Sequence, residues 1–160
     1  MPHLQITAGT VLESDHRAID EGFDAFIELA RSGTVDAALV TPAIEALRRH
    51  IWVEEETFFP PLRQAGVVGP ILVMLREHGE LWTHLDELER VLDHPEPQAD
   101  LALSVCDGLT RLLTQHNFKE ENILYATADR FLDDKSIHQV VAEELHAERP
   151  RDWTCAMAIR

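Results

Sequence analysis

Four stretches of this chain place apolar residues at steps of three and four, and each breaks its apolar line with histidine, glutamate or both. The spacing is that of an α-helix with one buried face, not the alternation of a strand. The first stretch runs from about Thr10 to Arg31, with Leu12, Ile19, Phe23, Phe26 and Ala30 in line and His16 between Leu12 and Ile19. The second starts at about Thr41, where "TP" offers a cap followed by an N1 proline; it carries Ile44, Leu47, Ile51 and Phe58, with His50 beside Ile51 and Glu54 in the gap. The third, Gly69 to Leu92, has Ile71, Met74, Leu81, Leu85, Leu88 and Leu92, with His78 at the missing step. The fourth, Ala99 to Ala128, has Val105, Leu109, Leu112 and Ile123, and its gaps are His116 and Glu120. Turn signals at "RSGTVD", "PPLRQAGVVGP" and "DHPEPQAD" separate them. A shorter amphipathic piece, "DKSIHQVVAEELHAE", precedes the tail "RPRDWTCAMAIR". The expected fold is all-α: an antiparallel up-down four-helix bundle with a short additional C-terminal helix. The 160 residues fit one domain, with the bundle core at about 10–130 and the C-terminal helix and tail at 131–160.

The interruptions repeat. His16 is followed 34 residues later by His50 with Glu54, and His78 is followed 38 residues later by His116 with Glu120, each second histidine heading the pattern HxxxEE. Asp15 and Glu77 precede the lone histidines, and Phe59 and Tyr125 stand nine after the paired ones. A step of four turns a helix by about 400°, so His50 with Glu54, and His116 with Glu120, lie on one face one turn apart and can hold an ion together. Glu55 and Glu121 point about 140° away from the histidines, toward solvent or toward hydrogen bonding outside the ligand set, although an i+5 carboxylate reaches a metal if the helix shifts, which leaves Glu121 as the alternative to Glu120. An ionised carboxylate on an apolar stripe is costly unless paired or coordinated, and the four stripes carry no lysine or arginine. A metal supplies the missing cation. Chance gives only about 0.1 copies of HxxxEE in a chain of this composition. Four imidazoles and two carboxylates exceed a closed tetrahedral zinc site and suit two metals. Divided equally, each metal receives two nitrogens and one oxygen, the supply typical of non-haem iron with open positions, and the glutamates can bridge.

Together "DHR", "HIWVEEETFFPPL", "REHGEL" and "HNFKEENILY" resemble the hemerythrin-like, or HHE cation-binding, domain over about residues 10 to 130. The resemblance implies a four-helix bundle around two non-haem iron ions, oxo- or hydroxo-bridged, that meet dioxygen, nitric oxide or peroxide. It also implies His16, His50, Glu54, His78, His116 and Glu120 as the ligands. Two departures argue against reversible oxygen carriage. Oxygen-carrying members have HxxxH in the third helix, where this chain has Trp82 four after His78, and they have an i+5 aspartate where this chain has the i+4 Glu120. An open coordination place follows, which favours reactivity or sensing.

The expected function is therefore reaction with or binding of a small oxidant in sensing or stress response, with weak peroxidase or oxidase chemistry within its range. The alternatives are an iron-binding or iron-donating module without turnover, and a structural bundle whose site is vestigial or filled by zinc. Acidic residues outnumber basic ones 29 to 14, a net charge of −15, so nucleic acid and anionic membrane surfaces are poor partners. The chain lacks a membrane-length apolar run and a signal-like start, and a cytoplasmic protein is expected; the sequence does not fix whether it forms a homo-oligomer. Cys106 and Cys155 have no CxxC context and read as plain thiols. His84 falls about 120° off the stripe, and His3, His94 and His138 receive no role. Two ExxH pairs, Glu13 to His16 and Glu143 to His146, give a ferritin-like alternative. It leaves His50 and His116 idle. Trp82 and Tyr125 are core aromatics that can also wall a metal pocket or accept an electron.

Overall fold

The computed structural model describes residues 5–132 and 136–159. Among the described residues every regular element is helical. Helix α1 is Ala8–Arg31. It begins earlier than the periodicity predicts because Thr7 and Thr10 form a reciprocal cap, each side chain accepting from the other's backbone N–H. Helix α2 spans residues 37–64 as Ala37–Val53, a π-helical turn Glu54–Phe58, and Phe59–Gln64. Helix α3 is Gly69–Leu92. Helix α4 spans residues 99–131 as Ala99–Lys119, a second π turn Glu120–Leu124, and Tyr125–Phe131. The short α5 is Ile137–Glu144; Asp134 and Lys135 of the expected fifth helix lie outside the described residues.

The predicted start of the second helix at Thr41 is wrong. Asp36 caps it, its carboxylate accepting from the Ala38 N–H at 3.1 Å, and Pro42 lies inside the helix. The "PP" turn signal also misleads. Pro60 and Pro61 follow Phe59 in the first turn after the π turn, where a wider hydrogen-bond ring has already interrupted the α-type ladder and a missing N–H costs little. The chain turns at Gly66, whose φ of 95° suits glycine. Each of α1 to α4 packs on two of the others, α1 on α2 and α4, and α3 on α2 and α4, while α5 lies against α1. The result is a helical bundle.

The apolar interior divides into two clusters. One gathers Ile19, Phe23, Phe26, Leu47, Ile51, Leu81, Leu85, Leu109 and Leu113; the other gathers Leu12, Val53, Phe58, Phe59, Leu62, Ile71, Met74, Leu124 and Tyr125. His16, His50, His78 and His116, which the sequence places between those residues on their helices, form with Glu54 and Glu120 a buried polar layer between the clusters. Ile123, read as part of the α4 stripe, is instead 53% exposed. The π turn inserts an extra residue and rotates the following face, so that Leu124 and Tyr125 point inward in its place.

Candidate metal centre

Each long helix supplies the layer with one histidine, and α2 and α4 add one glutamate each. All six residues are at most 2% exposed. Both glutamates open a π turn, a distortion found frequently at functional sites. Glu54 Oε1 lies 3.2 Å from His50 Nε2 and 3.4 Å from His78 Nε2. Glu120 Oε1 lies 3.2 Å from His16 Nε2 and 3.0 Å from His116 Nε2. Each carboxylate thus spans a histidine from each half of the sequence repeat. Among the described residues two groupings can hold an ion: His78, His116, Glu54 and Glu120, and His16, His50 and Glu120.

The protein's own hydrogen bonds leave several donor atoms of the layer over. Glu54 Oε1, both oxygens of Glu120 and Nε2 of His78 are buried without a hydrogen-bond partner, although the distances above allow attraction. His16 Nε2 and His50 Nε2 face each other at 3.0 Å. Donor chemistry and the orphaned atoms both fit metal. Of the two cysteines, both free and buried, neither belongs to these groupings.

The far nitrogen of every imidazole is held by a carboxylate. His16 Nδ1 faces Glu121 at 3.0 Å, His50 Nδ1 faces Asp15 at 2.8 Å, His78 Nδ1 faces Glu55 at 3.0 Å and His116 Nδ1 faces Glu77 at 2.8 Å. An ionised carboxylate only accepts, so Nδ1 carries a proton and Nε2 is the nitrogen turned to the centre, where a metal would displace any proton the imidazole keeps there. The pairs cross between helices. The acids preceding the lone histidines hold the paired ones, and the second glutamate of each HxxxEE holds a lone one. The doubled Asp-His and Glu-His dipeptides carried this signal; the cross-helix pairing was not visible without the fold.

Charge within the layer is mutually stabilised. Burial drives the His116 imidazole down, but Glu120 and Glu77 outweigh it and lift its pKa to about 10. Burial is opposed in the same way at His50, raised well above its usual value by Glu54 and Asp15, and at His78, raised by Glu54 and Glu55. Burial also works against the charge of Glu120, yet His116 holds its carboxyl well below the usual range. Tyr125, on α4, donates its hydroxyl to Glu54 Oε2 at 3.0 Å and lies 3.3 Å from His16 Nε2; burial and the two glutamates push the phenol well above 10. Its repeat counterpart Phe59 stacks flat on His78, ring centres 5.6 Å apart.

Other sequence candidates fall elsewhere. His84 lies against Gly108 and near Glu87. His146 is exposed and Glu13 pairs with Arg17 on the surface, so the ExxH alternative is not assembled. Trp82 is covered by the Arg48 guanidinium at 4.3 Å and meets the edge of Trp153. Arg48 is a buried cation that sequence reading missed, but it pairs with Asp86 and Glu89 away from the centre. Lys119 does reach the margin of the site, where it bonds Glu77. Burial opposes the charge of Glu77, and hydrogen bonds from His116 and Lys119 nevertheless hold its pKa below the usual value.

The family model for the hemerythrin HHE cation-binding domain matches residues 7–128. The chain belongs to this family. The hemerythrin match spans α1 through most of α4 and includes every histidine and glutamate of the buried layer. Among curated proteins, this hemerythrin-family chain is similar to proteins named iron-sulfur cluster repair protein YtfE from Yersinia pestis and Yersinia pseudotuberculosis, at 27% identity over 103 residues, or 59% of this chain and 47% of each relative. The match covers about half the length of those relatives. No solved structure matches the chain significantly.

Proposed function

We propose that this chain is a single-domain, non-haem di-iron protein, an antiparallel up-down bundle of four helices with a short fifth, that binds or reacts with dioxygen, nitric oxide or hydrogen peroxide in sensing or stress response. The observation that carries the reading is the convergence of four imidazole Nε2 atoms and two carboxylates, with four of their atoms lacking protein partners, in a buried layer. His16 and His50 would hold one iron, His78 and His116 the other, and Glu54 and Glu120 would be shared. Two imidazoles and shared carboxylates, without thiolate, favour iron over structural zinc. Bound iron supplies electrons and open positions for a small oxidant.

The chain's own groups do the rest. Asp15, Glu55, Glu77 and Glu121 fix the tautomer and aim of the imidazoles. The two apolar clusters exclude water. Tyr125 keeps a proton on its hydroxyl at 3.0 Å from Glu54, available as a hydrogen-bond donor at the centre. Trp82 stands where carriers have a fifth histidine, which supports reactivity or sensing over storage of dioxygen.

The name of the matched relatives favours a second reading, a module that holds and donates iron. One experiment separates them. Ferrous iron is added without oxygen, air is admitted, and spectrum and metal content are recorded before peroxide or nitric oxide is supplied. Consumption beyond one equivalent supports oxidant chemistry, and transfer of iron to an acceptor without consumption supports the second reading. Zinc alone, or no bound metal, defeats both.

A further inference from the structure

The two halves of the layer are supported unequally. Asp15 and Glu121, which hold His50 and His16, have side chains 19% and 29% exposed. Glu77 and Glu55, which hold His116 and His78, are each 5% exposed. Both of the latter also accept a second hydrogen bond: Lys119 Nζ bonds Glu77, and the backbone N–H of Ala156 donates to Glu55 Oε2 at 3.0 Å. Asp15 and Glu121 have no such second donor among the described residues.

Ala156 belongs to the C-terminal segment 149–159, which lies across α2 and α3 beyond the family-matched region. Arg149 grips both oxygens of Glu45 at 3.1 and 3.2 Å and donates to the Trp153 carbonyl at 2.9 Å. The Trp153 indole N–H donates to Glu56 at 2.9 Å while its ring meets Trp82 edge-on. Cys155 is buried in the core. Met157 passes so close to Gly79, the residue after His78, that a Cβ there would stand 2.5 Å from the Met157 carbonyl oxygen. Gly79 is thus the small residue that lets the strap close over the helix turn bearing His78.

Resting on the di-iron reading above, we propose that the C-terminal strap is a positioning element that locks Glu55 onto His78, so that iron at His78 and His116 is retained while iron at His16 and His50 is the exchangeable one. Losing an outer hydrogen-bonding partner of a metal-ligating histidine typically weakens metal binding by about 10–100-fold. The segregation of one dry, doubly held half from one exposed half would let the protein give up a single iron while keeping its fold.

The test follows iron loss from the reduced, iron-loaded full chain to excess bipyridine by its absorbance. The unaltered protein should release one iron per chain rapidly and the second at least about tenfold more slowly. Ala156→Pro, which deletes the N–H but keeps the anchors on either side, and Glu55→Gln should each accelerate only the slow phase; Glu121→Gln should accelerate only the fast phase. Gly79→Ala should act like Ala156→Pro by lifting the strap. A strap that merely stabilised the bundle would speed both phases together, which would overturn the proposal. Two irons leaving in one phase would overturn it while sparing the di-iron reading. Failure to load two irons would overturn both.

Discussion

Removing metal from the loaded protein should lower its melting temperature by an amount the buried layer sets. Without cations, Glu54 Oε1, both Glu120 oxygens and His78 Nε2 are buried without hydrogen-bond partners. An unsatisfied buried polar atom costs about 1–3 kcal/mol. Even at the low end the four atoms amount to about 4 kcal/mol, a large part of the about 5–15 kcal/mol that holds a domain folded. For a chain of this size each kcal/mol moves the midpoint by about 2–4 °C. The low end is the fitting one, because ion pairs with the histidines offset part of the cost, and iron removal should therefore lower the midpoint by about 8–16 °C. The assay is thermal unfolding followed by circular dichroism on matched samples with and without iron, with calorimetry as a check on two-state behaviour. A change below about 3 °C would mean that the layer satisfies itself without cations, and the reasoning that these residues converge on metal would be refuted.

Three further outcomes are expected. His116→Ala should abolish stoichiometric loading, whereas His84→Ala should retain it, because His84 sits against Gly108 outside the layer; metal analysis of both variants checks the pair. For pH, a histidine whose folded pKa is raised adds stability that is complete below about 6.5 and is lost as pH rises through the folded value, about 10 for His116. The metal-free protein should lose stability across that window, while metal loading, which must displace the same protons, should tighten, so the melting gap between the two forms should widen with pH; a narrowing gap would contradict the sign. Tyr125→Phe keeps the edge-on packing against Phe58 but removes the hydroxyl bonded to Glu54, and chemical denaturation should register a loss of about 1 kcal/mol with iron stoichiometry unchanged.

Helical periodicity located the bundle and the six polar interruptions because a buried face leaves few places where histidine or glutamate can sit at low cost. The stripe of α1, with His16 between Leu12 and Ile19, needed no tertiary information. What escaped was either nonlocal or a break in the helical period. The π turns at Glu54 and Glu120 move Tyr125 inward and Ile123 outward, which a fixed 100° step does not anticipate. The start of α2 was misplaced because Thr41-Pro42 imitates a cap that Asp36 supplies. Helical spacing does not decide between solvent, an outer hydrogen bond and, for Glu121, a ligand's place instead of Glu120; only the approach of α3 and α1 sets Glu55 on His78 and Glu121 on His16. The tail offered no periodic signal, and its contacts with Glu55, Glu56 and Gly79 depend entirely on the folded path.

The most direct measurement is the metal content of the protein purified without added metal, set beside its near-ultraviolet and visible absorption. Two irons per chain, with the absorption of a bridged iron pair, is the result predicted. A single tetrahedral zinc, or a metal-free chain that refuses iron, would contradict the account at its base.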